Sequence, residues 1–160
     1  MSILIIDDEK GIRHGMQVLF EHAGYETHIA ADPSEALRVV REENVNLALI
    51  DIRLHGDKNG VELLAELKEA EPELVAIMIT GFGSIDSAIQ SMKNGAADYI
   101  LKPIENDRLL EKVRKNLELQ NLRNENKYLK RELVNNLYSH DFVTRNPVML
   151  NLLKKADKIK

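Results

Sequence analysis

The sequence has no cysteine and no tryptophan, and only 4% of its residues are aromatic. Without thiols the chain forms neither a disulfide nor a thiolate metal site, which suits a reducing compartment. Prolines are scarce, four in all, and from Asn106 to Leu137 there is neither proline nor glycine. Nothing in that stretch breaks a helix. No apolar run approaches the ~20 residues that span a bilayer, and no basic region precedes a signal-length apolar stretch. The expectation is a cytoplasmic protein without a membrane partner.

What is present is an ordinary supply of core, 44% hydrophobic against 30% charged, in a chain whose charge is unevenly shared. Residues 1–104 carry a net charge of −9 and residues 105–160 carry +5. The acidic block does not suit nucleic acid. In the tail, basic residues alternate with acids at helical spacing, which favours a solvated helix over a phosphate contact. No direct DNA binding by this chain is expected.

Short β-rich runs alternate with amphipathic stretches over the first hundred residues. "ILIID" (3–7), "LALIDI" (47–52) and "LVAIMIT" (74–80) read as buried strands. "YETHIAA" (25–31) is more polar and suits an edge, and "DYILKP" (98–103) is a fifth strand. Between them lie helices with Ile12, Met16, Leu19 and Phe20 on one face, with Pro33 in a first turn, and with Pro72 and Gly95 as stops. Five such repeats predict an α/β fold, a parallel sheet wound with helices on both faces. Such sheets bind ligands beyond the carboxyl ends of their strands. Asp7, Asp8, Asp51, Thr80 and Lys102 all fall on that rim.

Three carboxylates on one rim repel, roughly 4 kcal/mol per pair at ~4 Å and an effective dielectric near 20. Either one stays protonated or a cation offsets them. Oxygen ligands without cysteine or histidine favour a hard divalent ion such as Mg²⁺. Asp51 then suits a nucleophile towards phosphorus, with a hydroxyl from Thr80 and a charge from Lys102 for the phosphoryl oxygens. Taken singly, each residue has a plainer role: an aspartate after a strand caps a helix or makes a turn, and a lysine is solvated. Their joint placement is what carries the functional reading.

"LIIDDE", "LALIDIRL…NG", "MITGFGS" and "DYILKP" together resemble the signature segments of two-component response-regulator receiver domains, over residues 1 to about 118. The resemblance implies a flavodoxin-like, doubly wound sheet of order 2-1-3-4-5. It implies Asp51 as the phosphate acceptor, Asp8 as a direct Mg²⁺ ligand, Asp7 as one acting largely through water, and the backbone carbonyl of Arg53 as a further ligand. Thr80 would contact the phosphoryl group, Lys102 would pair with it, and Tyr99 would be an aromatic switch. Lys102–Pro103 matches the family's cis peptide. Arg53 and Phe82 match positions that tune autodephosphorylation. The implied donor is a sensor histidine kinase, and the chain is a phosphorylated switch rather than an enzyme. One segment departs: His55 stands where the family usually carries proline, and Gly60 lies nine residues after Asp51 instead of eight.

In the tail the apolar period changes. Leu109, Leu110, Val113 and Leu117 make a stripe suited to packing on the sheet. Then Leu119, Leu122, Asn126, Leu129, Leu133 and Asn136 are spaced 3-4-3-4-3, the seam of a coiled coil. Glu118 and Glu125 would face Arg123 and Lys130 of a parallel partner, and Asn126 at a central seam position fixes two-stranded register. The alternative is one long solvated helix. The expected organisation is a receiver at 1–118, a coiled-coil dimerisation linker at 119–138, and at 139–160 the start of a truncated ATPase domain. That last stretch, with "FVTRNP" placing Asn146 as a cap and Pro147 in a first turn, resembles the lead-in to the AAA+ domain of NtrC-type, sigma-54-dependent activators. No phosphate-binding glycine loop and no helix-turn-helix follow. The missing AAA+ domain and the sigma-54 RNA polymerase holoenzyme would be partners of a longer protein. Two other readings stay open. One is an aspartyl-phosphate phosphatase or phosphotransferase of similar fold, although "DDE" lacks the D-x-D pattern of haloacid-dehalogenase-type enzymes. The other is a dimerisation module that is never phosphorylated.

Overall fold

Three apolar runs become strands buried from end to end: β1 (Ser2–Ile6), β3 (Leu47–Asp51) and β4 (Val75–Thr80). They are flanked by β2 (Glu26–Ala30) and β5 (Asp98–Leu101), and all neighbours pair in parallel in the order β2-β1-β3-β4-β5. The three inner strands have helices over both faces, so every position but Ser2 is apolar up to the rim. The two outer strands keep polar and exposed residues, and Leu101 on β5 is 55% exposed. In this computed structural model the residues described are 1–81, 85–139 and 147–157. They divide into two compact units, Met1–Glu118 and Leu119–Lys160.

Helices α1 (Lys10–His22), α2 (Pro33–Glu42), α3 (Gly60–Ala70), α4 (Ile85–Lys93) and α5 (Asn106–Ser139) follow the strands in turn. Alternation along each strand splits the core in two. One layer joins Leu4, Ile6, Ile50 and Met78 to Ala36, Val39 and Val40 of α2 and Leu63, Leu64 and Leu67 of α3. The other joins Ile3, Ile5, Leu49 and Ile77 to Met16 and Phe20 of α1 and Leu109, Val113 and Leu117 of α5. Each fully buried leucine or isoleucine contributes about 1.5–3 kcal/mol. Ends are set locally. Asp32 accepts from the Glu35 N–H ahead of Pro33. Asn59 and Glu62 form a reciprocal capping box at the start of α3. Gly95, at φ +97°, turns the chain out of α4 as its place in the sequence predicts.

β1, β2, β3 and β5 each stop one or two residues short of expectation. β1 stops at Ile6, because the Asp7 carboxylate accepts from the Glu9 N–H and turns the backbone. β5 stops at Leu101, before Pro103, which has no N–H for the ladder. The Lys102–Pro103 bond is cis.

In the second unit α5 runs on to Ser139 and α6 covers Pro147–Ala156. There Leu119, Leu122, Leu129 and Leu133 are 42 to 62% exposed, so the leucine row lies uncovered in a single chain. Phe82, Asn146 and the "FVTR" segment fall outside the described residues. Among the described residues no helix is long and apolar enough to cross a membrane.

Candidate functional site

The parallel register brings the strand ends level. Ile6 of β1 pairs with Ile50 of β3, Asp51 with Ile79 of β4, and Thr80 with Leu101 of β5. The next residues are therefore neighbours across the sheet. Asp7, Asp8 and Asp51 each present a carboxylate oxygen within 4.8 Å of the other two. Asp7 is fully buried and Asp51 nearly so.

Lys102 arrives from beyond β5 and donates to Asp51 Oδ2 at 2.7 Å and to Asp7 Oδ2 at 3.1 Å. Its ammonium partly offsets two of the three charges. Burial disfavours that ammonium, but the hydrogen bonds and charges of Asp51 and Asp7 outweigh it, and the Lys102 pKa is raised. Asp7 moves the other way from a satisfied carboxylate. Its desolvation exceeds the help from the Glu9 N–H and Lys102, Asp51 adds repulsion, and its pKa is raised. One lysine does not balance this site, and the residues present suit a further cation. The donor set of clustered carboxylate oxygens fits a hard divalent ion held with waters. Asp7, Asp8 and Asp51 are the side chains that would hold it.

The backbone around Asp51 is held tightly. The Arg53 N–H donates to Asp51 Oδ1 at 3.0 Å, orienting the carboxylate. Gly60 N donates to the Ile52 carbonyl at 2.9 Å, folding the 52–59 loop back onto the strand end. A Cβ on Gly60 would lie 2.1 Å from the Asp51 carbonyl oxygen, so only glycine fits there. Further out in the loop Gly56 turns at φ +129° and Lys58 reaches Glu66. His55 contacts Asp8 through Nδ1 and Oδ2.

Thr80 is buried at the end of β4, and its carbonyl accepts from the Lys102 N–H at 2.8 Å. Tyr99, on β5, packs partly buried against the core layer that contains Met78 and Leu63. Its hydroxyl is buried with no hydrogen bond among the described residues, and burial pushes its pKa up. The structure thus gathers Asp7, Asp8, Asp51 and Lys102 into one cluster and sets Thr80 and Tyr99 on the adjoining strands. Arg53 enters through its N–H.

Sequence reasoning passed over two supports. Arg13 of α1 donates to the Asp7 carbonyl at 2.6 Å, pinning the acidic turn from outside. Asp98 is clasped by α5: Lys112 donates to its Oδ1 at 2.7 Å and Asn116 to its Oδ2 at 3.3 Å. Spacing from Asp98 to Lys112 carries no pattern, so only the packed helix reveals the pair. Burial would raise the Asp98 pKa, but the Lys112 and Tyr99 N–H hydrogen bonds prevail and lower it below 3.8. A lowered carboxylate stabilises the fold above the unfolded pKa, and that contribution is lost as pH falls through the folded value. Asp98→Asn is therefore expected to cost about 1 kcal/mol at neutral pH, modest because the pair is partly exposed. In thermal melts the gap to the native chain should close as pH drops below 3.8. A gap constant across that range would assign the loss to packing instead.

A family model for the response regulator receiver domain matches residues 3–114. The nitrogen assimilation regulatory protein NtrX of Azorhizobium caulinodans is 36% identical over 159 residues, 99% of this chain and 34% of that protein. The regulatory protein AtoC of Escherichia coli is 30% identical over 157 residues, 98% of this chain and 34% of that protein. The crystal structure of a receiver domain protein from Methanospirillum hungatei superposes with a TM-score of 0.74 at 38% identity, covering 76% of this chain and 97% of that one. The chain spans about a third of the length of the curated relatives it matches.

Proposed function

The chain belongs to the response regulator receiver domain family, and on that premise we propose that Asp51 accepts a phosphoryl group and that the change in charge is passed to the α5 helix. Receiver domains of this family take their phosphoryl group from sensor histidine kinases, which supplies the donor class. The observation that carries the assignment is a carboxylate at a strand end, oriented by the Arg53 N–H and bonded by Lys102, among two further acids.

An Asp51 oxygen attacks phosphorus in line while the phosphorus–nitrogen bond of the donor phosphohistidine breaks and its electron pair returns to the imidazole. Lys102, at 2.7 Å from Asp51, is placed to follow the negative charge onto the phosphoryl oxygens. Asp7, Asp8 and Asp51 would hold Mg²⁺, with the Arg53 carbonyl as a further ligand, and the ion would supply positive charge to offset that on the transferring oxygens. Thr80 then engages the new anion and Tyr99, whose hydroxyl lacks a partner among the described residues, moves with it.

The experiment is labelling with acetyl phosphate and Mg²⁺. One phosphoryl group per chain, stable on the protein after the donor is removed, supports this reading. Continuous turnover of a small phosphoester would favour a phosphatase or phosphotransferase, and no uptake at all would leave a dimerisation module.

The division into a receiver at 1–118, a coiled-coil linker at 119–138 and the beginning of an AAA+ domain at 139–160 belongs to the same proposal. So does placement in the cytoplasm, in a full-length activator of sigma-54 RNA polymerase. Exposure of Leu119, Leu122, Leu129 and Leu133 supports a parallel dimer in which a second chain covers the row, with Asn126 and Asn136 in the same seam. Sedimentation at high micromolar concentration should show a dimer, and Leu129→Asp should return it to monomer. A native chain that stays monomeric with and without beryllofluoride would refute the seam.

A further inference from the structure

The carboxylate cluster offers only oxygen, but the 52–59 loop adds one nitrogen to its edge. The His55 imidazole lies against Asp8, Nδ1 to Oδ2, with its side chain 93% exposed and Asp8 13% exposed. The imidazole thus sits on the solvent side of Asp8. Lys102 spends its hydrogen bonds on Asp7 and Asp51. Asp8 is thus the acid of the cluster that Lys102 leaves unpaired, and the His55 nitrogen lies beside it.

The loop has the means to keep residue His55 beside the cluster. Asp51 anchors one end of it on β3, the Gly60 N–H to Ile52 bond closes the other, and Gly56 turns immediately after His55 at φ +129°. Exposure leaves the ring unpacked by other side chains, so reorienting it towards an ion breaks no core contact.

We infer that His55 is a further ligand of the divalent ion that Asp7, Asp8 and Asp51 would hold, giving a mixed carboxylate–imidazole site that favours Mn²⁺ relative to Mg²⁺. The inference rests on the acid cluster being a metal site, as proposed above. Its chemical basis is ligand hardness. Mg²⁺ takes oxygen ligands and waters and gains little from imidazole, whereas Mn²⁺ and the later first-row ions accept nitrogen readily. A proline in the same place has no donor to add. In the competing arrangement, the imidazole N–H donates to Asp8 and stays outside the coordination sphere, tuning the carboxylate alone. The two differ in whether nitrogen touches the metal.

Mn²⁺ alone is the probe. Pulsed electron paramagnetic resonance on the native chain with one equivalent of Mn²⁺ should show nitrogen modulation from a coordinated imidazole. His55→Ala and His55→Gln should each still bind the ion but lose the modulation, and their ratio of Mn²⁺ to Mg²⁺ affinity should fall roughly tenfold in competition titrations. Circular dichroism confirms that both variants fold. Mn²⁺ bound without nitrogen modulation overturns the assignment while leaving the acid site intact. So does modulation that persists in both variants, which would trace to one of the four other histidines. A native chain that binds no Mn²⁺ removes the metal site itself, and this inference with it.

Discussion

Asp51→Asn is expected to lower phosphoryl uptake from acetyl phosphate by at least ~100-fold, because an amide oxygen is a poor nucleophile and the charge pairing with Lys102 is gone. The fold should not suffer. Asp51 is one of three clustered acids, and its removal relieves the repulsion that helps raise the Asp7 pKa. Lys102 keeps Asp7 as a partner at 3.1 Å. The expected variant is thus as stable as the native chain, or more so, and inert to the phosphodonor. Quantitative labelling checks the first half and thermal melting the second. Undiminished labelling would move the acceptor elsewhere, whereas a collapsed fold would mean that Asp51 serves Lys102 more than it serves phosphorus.

Gly60→Ala should have the largest effect on stability among the described glycines. The new Cβ would sit 2.1 Å from the Asp51 carbonyl oxygen and 2.9 Å from the Ile52 Cα, both backbone atoms that cannot rotate away. Either α3 backs off or the end of β3 shifts. Overpacking of this kind costs roughly 1–3 kcal/mol, and here it also displaces the Asp51 carboxylate, so metal affinity should fall in parallel. Gly15→Ala is the control. It lies within α1 with nothing within 4 Å of the added carbon, and alanine there should stabilise the helix by about 0.5–1 kcal/mol. Denaturant midpoints of the two variants should move in opposite directions. If Gly60→Ala melts like the native chain and binds metal equally well, the close approach is not what holds Asp51.

How far the residues announced these features differs from site to site. Asp7, Asp8 and Asp51 were legible because each ends an apolar run, and a parallel sheet sends all such ends to one side. The stripe of Leu109, Val113 and Leu117 was legible because its spacing matches a helix face, and all three are buried. The exact stops of β1 and β5 were not, since they depend on a side-chain turn at Asp7 and a missing donor at Pro103. Arg13 and the Asp98–Lys112 pair were invisible for a further reason. A single hydrogen bond between distant residues leaves no period to read.

By itself the sequence determined the fold and the rim, because burial on both faces imposes continuous apolar strands and right-handed crossovers leave one side for chemistry. Only the tertiary structure decided the contacts across that rim. Lys102 divides itself between Asp51 and Asp7, Gly60 presses on the Asp51 carbonyl, and His55 meets Asp8. Such contacts are set by the ångström-scale placement of strand ends and the loops beside them, which no local pattern of residues encodes.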